Sequence, residues 1–254
     1  MEEPILKAYY GDIFFEFLLQ KEPADTIIML PGLPSSNSSD EILRFLYSKG
    51  YHIFCPKYRG TYQSNGKFLE TNIVTDLSTF IDSLNRGSVK SLWDEKDLNF
   101  KIKKKILMGS SFSGAIACGL ASKRDDLSCV ILFAPVWDFA KHNELGDEQD
   151  LLFLTKFLKR AYRNLYRFDF ENIQKSLSSI KEINPSNYIK SLTQPILVFH
   201  DPEDRIVSIR HTQQMLKILP KIRLVTHNFG HPGRVEMIEQ LYPEVKAFLK
   251  SKLQ

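Results

Sequence analysis

Residues 103–121 read KKKILMGSSFSGAIACGLA, and this stretch decides the fold. Three lysines lead into the apolar run Ile106-Leu107-Met108, Gly109 stops it, and three serines fall within four positions before a run of small residues with helical character. The expected order is strand, tight turn, helix. At Gly109-Ser110-Ser111-Phe112-Ser113-Gly114 the turn fits the pattern G-x-S-x-G, with Ser113 standing where the final glycine would be. Such a turn strains its central residue so that the side chain is lifted clear of the sheet, and the flanking residues must be small for helix and strand to approach. Gly109, Ser113 and Gly114 meet that demand, which makes Ser111 the candidate nucleophile; the plainer use of these serines is to cap and start a helix.

Outward from this turn, short apolar runs closed by turn residues recur: TIIMLP (26–31), YHIFCP (51–56), CVILFAP (129–135), PILVFH (195–200) and IRLVTH (222–227). Runs of that length suit strands buried on both faces of a parallel sheet. Helical patterns lie between them: SDEILRFLYSKG (39–50), NIVTDLSTFIDSLN (72–85), GAIACGLASK (114–123), SIRHTQQMLKIL (208–219) and VEMIEQLYPEVKAFLKSKL (235–253), the last with Pro243 as an expected kink or break. ILKAYYGDIFFEFLL (5–19) reads as an edge hairpin turning near Gly11 and Asp12. The alternation predicts an α/β fold with a mostly parallel twisted sheet and helices on both faces, where ligands gather at the carboxyl ends of the strands. Residues 138–190 break the rhythm with helical pattern only, DLLFLTKFLKRAYRNLYRF (150–168) and then FENIQKSLSSIKEI (170–183). They read as a helical lid inserted into a single domain spanning 1–254.

Composition narrows the function classes. The chain has 254 residues, 43% of them hydrophobic and 25% charged, with a net charge of +4, so it is an ordinary globular protein with no nucleic-acid partner implied. No apolar stretch reaches the roughly 18 residues of a membrane span, and the acidic N-terminus does not read as a signal peptide. Cys55, Cys118 and Cys129 are widely spaced in apolar contexts, expected to be buried thiols in a reducing, cytoplasmic setting. Zinc, phosphate-loop and dinucleotide motifs are absent, so neither a metal nor a cofactor is expected.

A serine hydroxyl needs a base, and the base needs an acid to hold its tautomer. PILVFHDPEDRIVS (195–208) presents Asp204 after a strand, with Asp201 and Glu203 as competitors for the acid, and IRLVTHNFGHPGR (222–234) presents His231 on a loop, with His227 read as structural. The chain order is then Ser, Asp, His.

These residues resemble the α/β-hydrolase family. PGLPSS (31–36) is similar to its HG-x-P loop, YHIFCPKYRGTYQSNGKF (51–68) to its G-Y-x-V-x-x-x-D-Y-R-G-x-G-x-S segment, and PILVFHDPEDRIVS and NFGHPGR (228–234) to the segments that deliver acid and base. The resemblance implies the α/β-hydrolase fold, Ser111 as nucleophile, Asp204 as acid, His231 as base, and the backbone N–H groups of Leu33 and Phe112 as the oxyanion hole. It departs from the family pattern at Pro31, Lys57 and Ser113, none of them a triad position. The implied activity is cofactor-independent hydrolysis of a carboxylic ester or thioester of a small-molecule acyl substrate; a peptidase acting on short peptides and a non-catalytic binding protein are the alternatives. A homodimer is compatible with the sequence. In the lid, Lys156, Lys159, Arg160, Arg163 and Arg167 form a basic stripe opposite Leu154, Phe157, Leu158, Ala161, Leu165 and Phe168. A solvated face, recognition of an anionic substrate group and docking on acidic lipid or nucleic acid are its three readings. KIKKK (101–105) reads as a solvated edge.

Overall fold

A computed structural model of the chain describes residues 3–35, 40–139, 151–169, 180, 182–219 and 221–252. Its strands are β1 (Leu6–Tyr10), β2 (Ile13–Leu18), β3 (Ala24–Leu30), β4 (His52–Pro56), β5 (Ser88–Lys90), β6 (Asp97–Asn99), β7 (Ile102–Ser110), β8 (Leu127–Phe133), β9 (Ile196–His200) and β10 (Ile222–Thr226). Eight of them form one sheet in the order β1-β2-β4-β3-β7-β8-β9-β10, while β5 and β6 pair separately. The helices are α1 (Asp40–Ser48), α2 (Ile73–Leu84), α3 (Phe112–Lys123), α4 (Leu151–Ala161), α5 (Ile209–Leu216) and α6 (Val235–Lys252). β3 with β4, β8 with β9 and β9 with β10 run parallel; β1 with β2 and β2 with β4 run antiparallel. Contacts divide the chain into two compact units, Met1–Met29, Ser36–Lys105 and Leu152–Ile183 in the first, and Leu30–Ser35, Ile106–Leu151 and Asn184–Gln254 in the second.

In the first unit, the β1–β2 hairpin turns at Gly11, whose φ of +54° glycine adopts without a side-chain clash. Its core is aromatic. Phe17 stacks on Phe54 at 6.0 Å, and Phe15 meets Phe80 at 5.0 Å edge-on. Asn72 caps α2 by accepting from Val74 N–H at 3.0 Å, which stabilises the helix start by about 1 kcal/mol. The KYRG segment is structural. Arg59 Nε donates to Asp76 at 2.9 Å and its guanidinium also pairs with Asp12. Gly60, at φ +72°, packs so closely on the 67–68 backbone that a Cβ would lie 2.0 Å from Phe68 N.

Lys57, which departs from the family pattern, is buried beside Glu16, with Nζ 2.9 Å from Oε2 but off hydrogen-bond angle, and 3.7 Å from Cys55 Sγ. Burial pulls the Lys57 pKa down, yet Cys55 and the Glu16 carboxylate carry it above the ordinary lysine value. Breaking such a pair strands a buried charge. Lys57→Met is therefore expected to lower unfolding stability by about 3–5 kcal/mol in denaturant titration, and Lys57→Met with Glu16→Met to recover most of it. A single-variant loss below about 1 kcal/mol would show that water already compensates Glu16.

Beyond α4, the chain adds two isolated β-bridges to this unit, Thr61 with Tyr166 and Phe68 with Phe168. Arg167 donates to Tyr62 O at 2.9 Å, to Gly66 O at 3.3 Å and to Ser64 O, while Tyr62 N–H donates to Leu165 O. Arg167 is thus a structural clamp and leaves the basic stripe, whereas Lys156, Lys159, Arg160 and Arg163 are exposed. Leu158 and Phe168 are buried, but Phe157 is 39% exposed and Ala161 is also exposed, so the apolar face is only partly covered. The Leu154 side chain, and FENIQKSLSS (170–179) of the second helical stretch, lie outside the described residues.

In the second unit, β8, β9 and β10 keep register through Val130↔Ile196 and Ile196↔Ile222. β8 and β9 are buried nearly throughout, as their apolar runs require. β10 corrects the expectation of burial on both faces: it is the edge strand, and only Ile222 is buried. α6 continues through Pro243 without a break. Asn184 joins two distant segments by donating to Asp138 at 2.8 Å and accepting from Phe139 N–H at 3.1 Å. KIKKK is corrected as well. Ile102 to Lys105 belong to β7, and Lys105 is buried. All three cysteines are buried, and none forms a disulfide. No described helix is long and apolar enough to cross a membrane.

Candidate active site

Ser111 sits between the end of β7 and the start of α3 with φ +52° and ψ −120°, a conformation costing a non-glycine residue about 1–3 kcal/mol. The end of β8 imposes it. Ser111 N–H donates to Phe133 O at 2.9 Å, and Ser111 O accepts from Val136 N–H and Gly114 N–H, both at 3.0 Å. The small neighbours have specific reasons. A Cβ on Gly109 would lie 2.8 Å from Ser113 O, and one on Gly114 would lie 2.4 Å from Pro135 Cβ.

Ser113 is the informative departure. It is fully buried, and its Oγ accepts from Ser110 N–H at 2.6 Å and lies 2.8 Å from Ser110 O and 2.9 Å from Leu30 O. One hydroxyl proton serves two carbonyls, so the serine ties the turn to the end of β3, which a glycine cannot do. Gly32, two residues on, runs close by: a Cβ there would lie 3.3 Å from Ser110 Oγ. Leu33 follows and is buried, and Phe112 opens α3, where the first N–H groups of a helix have no partner within it.

Asp204 and His231 meet. Asp204 Oδ2 accepts from His231 Nδ1 at 2.7 Å, and Oδ1 accepts from Ile206 N–H at 2.8 Å and Val207 N–H at 3.0 Å. The carboxylate is wholly buried, while the imidazole remains 23% exposed. Burial alone would push the Asp204 carboxyl up, but the His231 hydrogen bond and charge, with the two backbone N–H groups, outweigh it and hold the carboxyl below its usual range. Because Asp204 takes Nδ1, the lone pair of a neutral His231 lies on Nε2. No hydrogen bond joins His231 to Ser111 among the described residues. Catalytic contacts of this kind commonly tighten only with substrate present. Glu203 is exposed, and Asp201 binds backbone instead of a histidine ring.

Near Asp204 lies a network that sequence reasoning missed. His200 Nε2–H donates to Val207 O at 2.8 Å, Thr212 Oγ1–H donates to His200 Nδ1 at 2.9 Å, and Trp137 Nε1–H donates to Thr212 Oγ1 at 3.0 Å. Each donor faces an acceptor only if His200 is neutral. A histidine closing a fully apolar run was the available signal, since a buried strand end must satisfy its polar side chain. His227, read as structural, accepts from Phe229 N–H at 3.2 Å and leaves Nε2 buried without a hydrogen bond. No group of three or more described His, Cys, Asp or Glu side chains is placed to hold a metal ion.

Burial lowers the pKa of His52, His200 and His227. The unfolded chain protonates these rings near pH 6.5 while the native chain resists, so as pH falls below about 6.5 the unfolded state binds more protons and stability drops. Asp204, held low, adds a second loss below about pH 4, where only the unfolded carboxyl protonates. The thermal midpoint, followed by circular dichroism, should be flat above pH 7 and fall between pH 6.5 and 5; a rise over that interval would contradict neutral burial of these rings.

No protein-family model matches the chain, and none of the curated proteins does. Solved structures do. An esterase of Pyrococcus furiosus superposes with a TM-score of 0.68 at 19% identity, covering 99% of this chain and 91% of that one. An α/β hydrolase enzyme from a lagoon-sediment metagenome gives 0.67 at 15% identity, covering 98% and 99%. Acylaminoacyl peptidase of Pyrococcus horikoshii gives 0.64 at 16%, covering 98% of this chain and 41% of that one. With the sheet order and the strained strand-to-helix turn at Ser111, these likenesses establish that the chain has the α/β-hydrolase fold.

Proposed function

We propose that the chain is a serine hydrolase that cleaves a carboxylic ester or thioester. The observation that carries this reading is the 2.7 Å bond between His231 Nδ1 and the buried Asp204 carboxylate. It supplies an oriented base, while the turn at Ser111 supplies a serine in the strained conformation that presents a nucleophile. His231 Nε2 takes the Ser111 hydroxyl proton as Oγ attacks the carbonyl carbon. The carbonyl oxygen gains the negative charge and meets the N–H groups of Leu33 and Phe112, each worth about 2.7–4 kcal/mol in a hole of this kind. Collapse expels the alcohol or thiol, which receives the proton from His231. Water, deprotonated by the same ring, then attacks the acyl–Ser111 ester; the carboxylic acid leaves and Ser111 regains its proton.

A peptidase acting on short peptides is the second reading, favoured by the likeness to an acylaminoacyl peptidase. Parallel assays of p-nitrophenyl esters and aminoacyl-p-nitroanilides separate the two. Turnover of esters alone supports the ester reading, turnover of anilides at comparable kcat/KM favours the peptidase, and turnover of neither points to a non-catalytic binding protein.

A further inference from the structure

Asp201 follows β9 directly, its side chain is almost wholly buried, and its carboxylate spans two segments. Oδ1 accepts from Glu203 N–H at 2.8 Å, closing the turn that leads to Asp204, and Oδ2 accepts from Gly230 N–H at 2.5 Å. Asp204 N–H donates back to Asp201 O at 3.2 Å. Gly230 immediately precedes His231 and has φ +71°, so the chain bends sharply at the residue that Asp201 grips. Two carboxylates three positions apart therefore hold the histidine loop at adjacent points, Asp201 by the backbone of 230 and Asp204 by the ring of 231. Beyond these two points, Gly233 has nothing within 4 Å of an added Cβ, and His231 is partly exposed.

We propose that Asp201 is a positioning residue for His231: by fixing the Gly230 peptide it sets where the imidazole sits and so which ring nitrogen faces Asp204. This rests on the reading of His231 as the base. A charged acceptor suits the task, because a charge-assisted bond to a backbone N–H is shorter and stronger than a neutral one. Asparagine cannot replace it, since only its oxygen accepts and one of the two N–H groups would face the amide NH₂.

The test uses the full chain with Asp201→Asn, which keeps size, and Asp201→Ala, which opposes no donor to Gly230. Long-range ¹H–¹⁵N correlation spectra of the histidine rings report the His231 tautomer without any substrate. Wild type should show His231 protonated on Nδ1; both variants should show a mixture of tautomers, with kcat for p-nitrophenyl esters down about tenfold or more and KM within about twofold. An unchanged His231 tautomer and a kcat within about twofold of wild type in either folded variant would overturn the proposal. A wild type that turns over no ester fails the hydrolase reading separately, and the tautomer spectra still decide the role of Asp201.

Discussion

Ser111→Ala is expected to lower kcat for ester hydrolysis by about 10⁶-fold. The hydroxyl is the only group lost, and with it the covalent route; what remains is whatever the hole and binding confer on direct attack by water. Stability should hardly change. Ser111 Oγ makes no capping hydrogen bond, and alanine suffers the same positive φ as serine, so the thermal midpoint stays close to wild type. The pairing of a large kinetic loss with an intact fold distinguishes a nucleophile from a helix-starting serine. A variant that kept more than a tenth of the activity would move the chemistry away from this turn.

Asp204→Asn should cost about 10⁴-fold in kcat, and the local hydrogen bonds say why. Ile206 N–H and Val207 N–H both point at Asp204 Oδ1, so the asparagine oxygen must face them and its NH₂ must face His231. The ring would then accept at Nδ1 and carry its proton on Nε2, where it can no longer take one from serine. The turn itself should survive, because both backbone donors keep their acceptor. Steady-state kinetics with a p-nitrophenyl ester check this, and a loss below about tenfold would show that Asp204 does not set the tautomer.

Much of this was legible in residue order. Six apolar runs became β3, β4, β7, β8, β9 and β10, because a strand needs little beyond an apolar run and a stop; that β10 lies at the edge was not legible in its run. The β5–β6 hairpin was invisible: SVK and DLN are three-residue polar segments with no period to detect. Charges misled where they were buried. Lys57 stands out in the sequence only as a departure from the family pattern, and Glu16, which faces it, lies 41 positions earlier; Lys105 reads as part of a solvated edge, yet it is buried. Arg167 fits the spacing of the basic stripe, yet it spends its donors on carbonyls of the 62–66 loop.

The site divides the same way. Ser111, Asp204 and His231 stand at strand ends, where side-chain type and chain order are informative. Asp201 was visible only as a rival acid, because its partner is a backbone N–H, and backbone groups carry no signature in sequence. Ser113 looked like a flaw in the G-x-S-x-G pattern; in place, its hydroxyl bridges Ser110 and Leu30. The His200–Thr212–Trp137 chain joins residues up to 75 positions apart and depended on packing that no local pattern encodes.

The most direct measurement of the central claim is intact-mass analysis after incubation with a fluorophosphonate, on wild type and Ser111→Ala in parallel. The account predicts one adduct on wild type and none on the variant. An unmodified wild type, or an adduct that survives in Ser111→Ala, would contradict an activated serine at this turn.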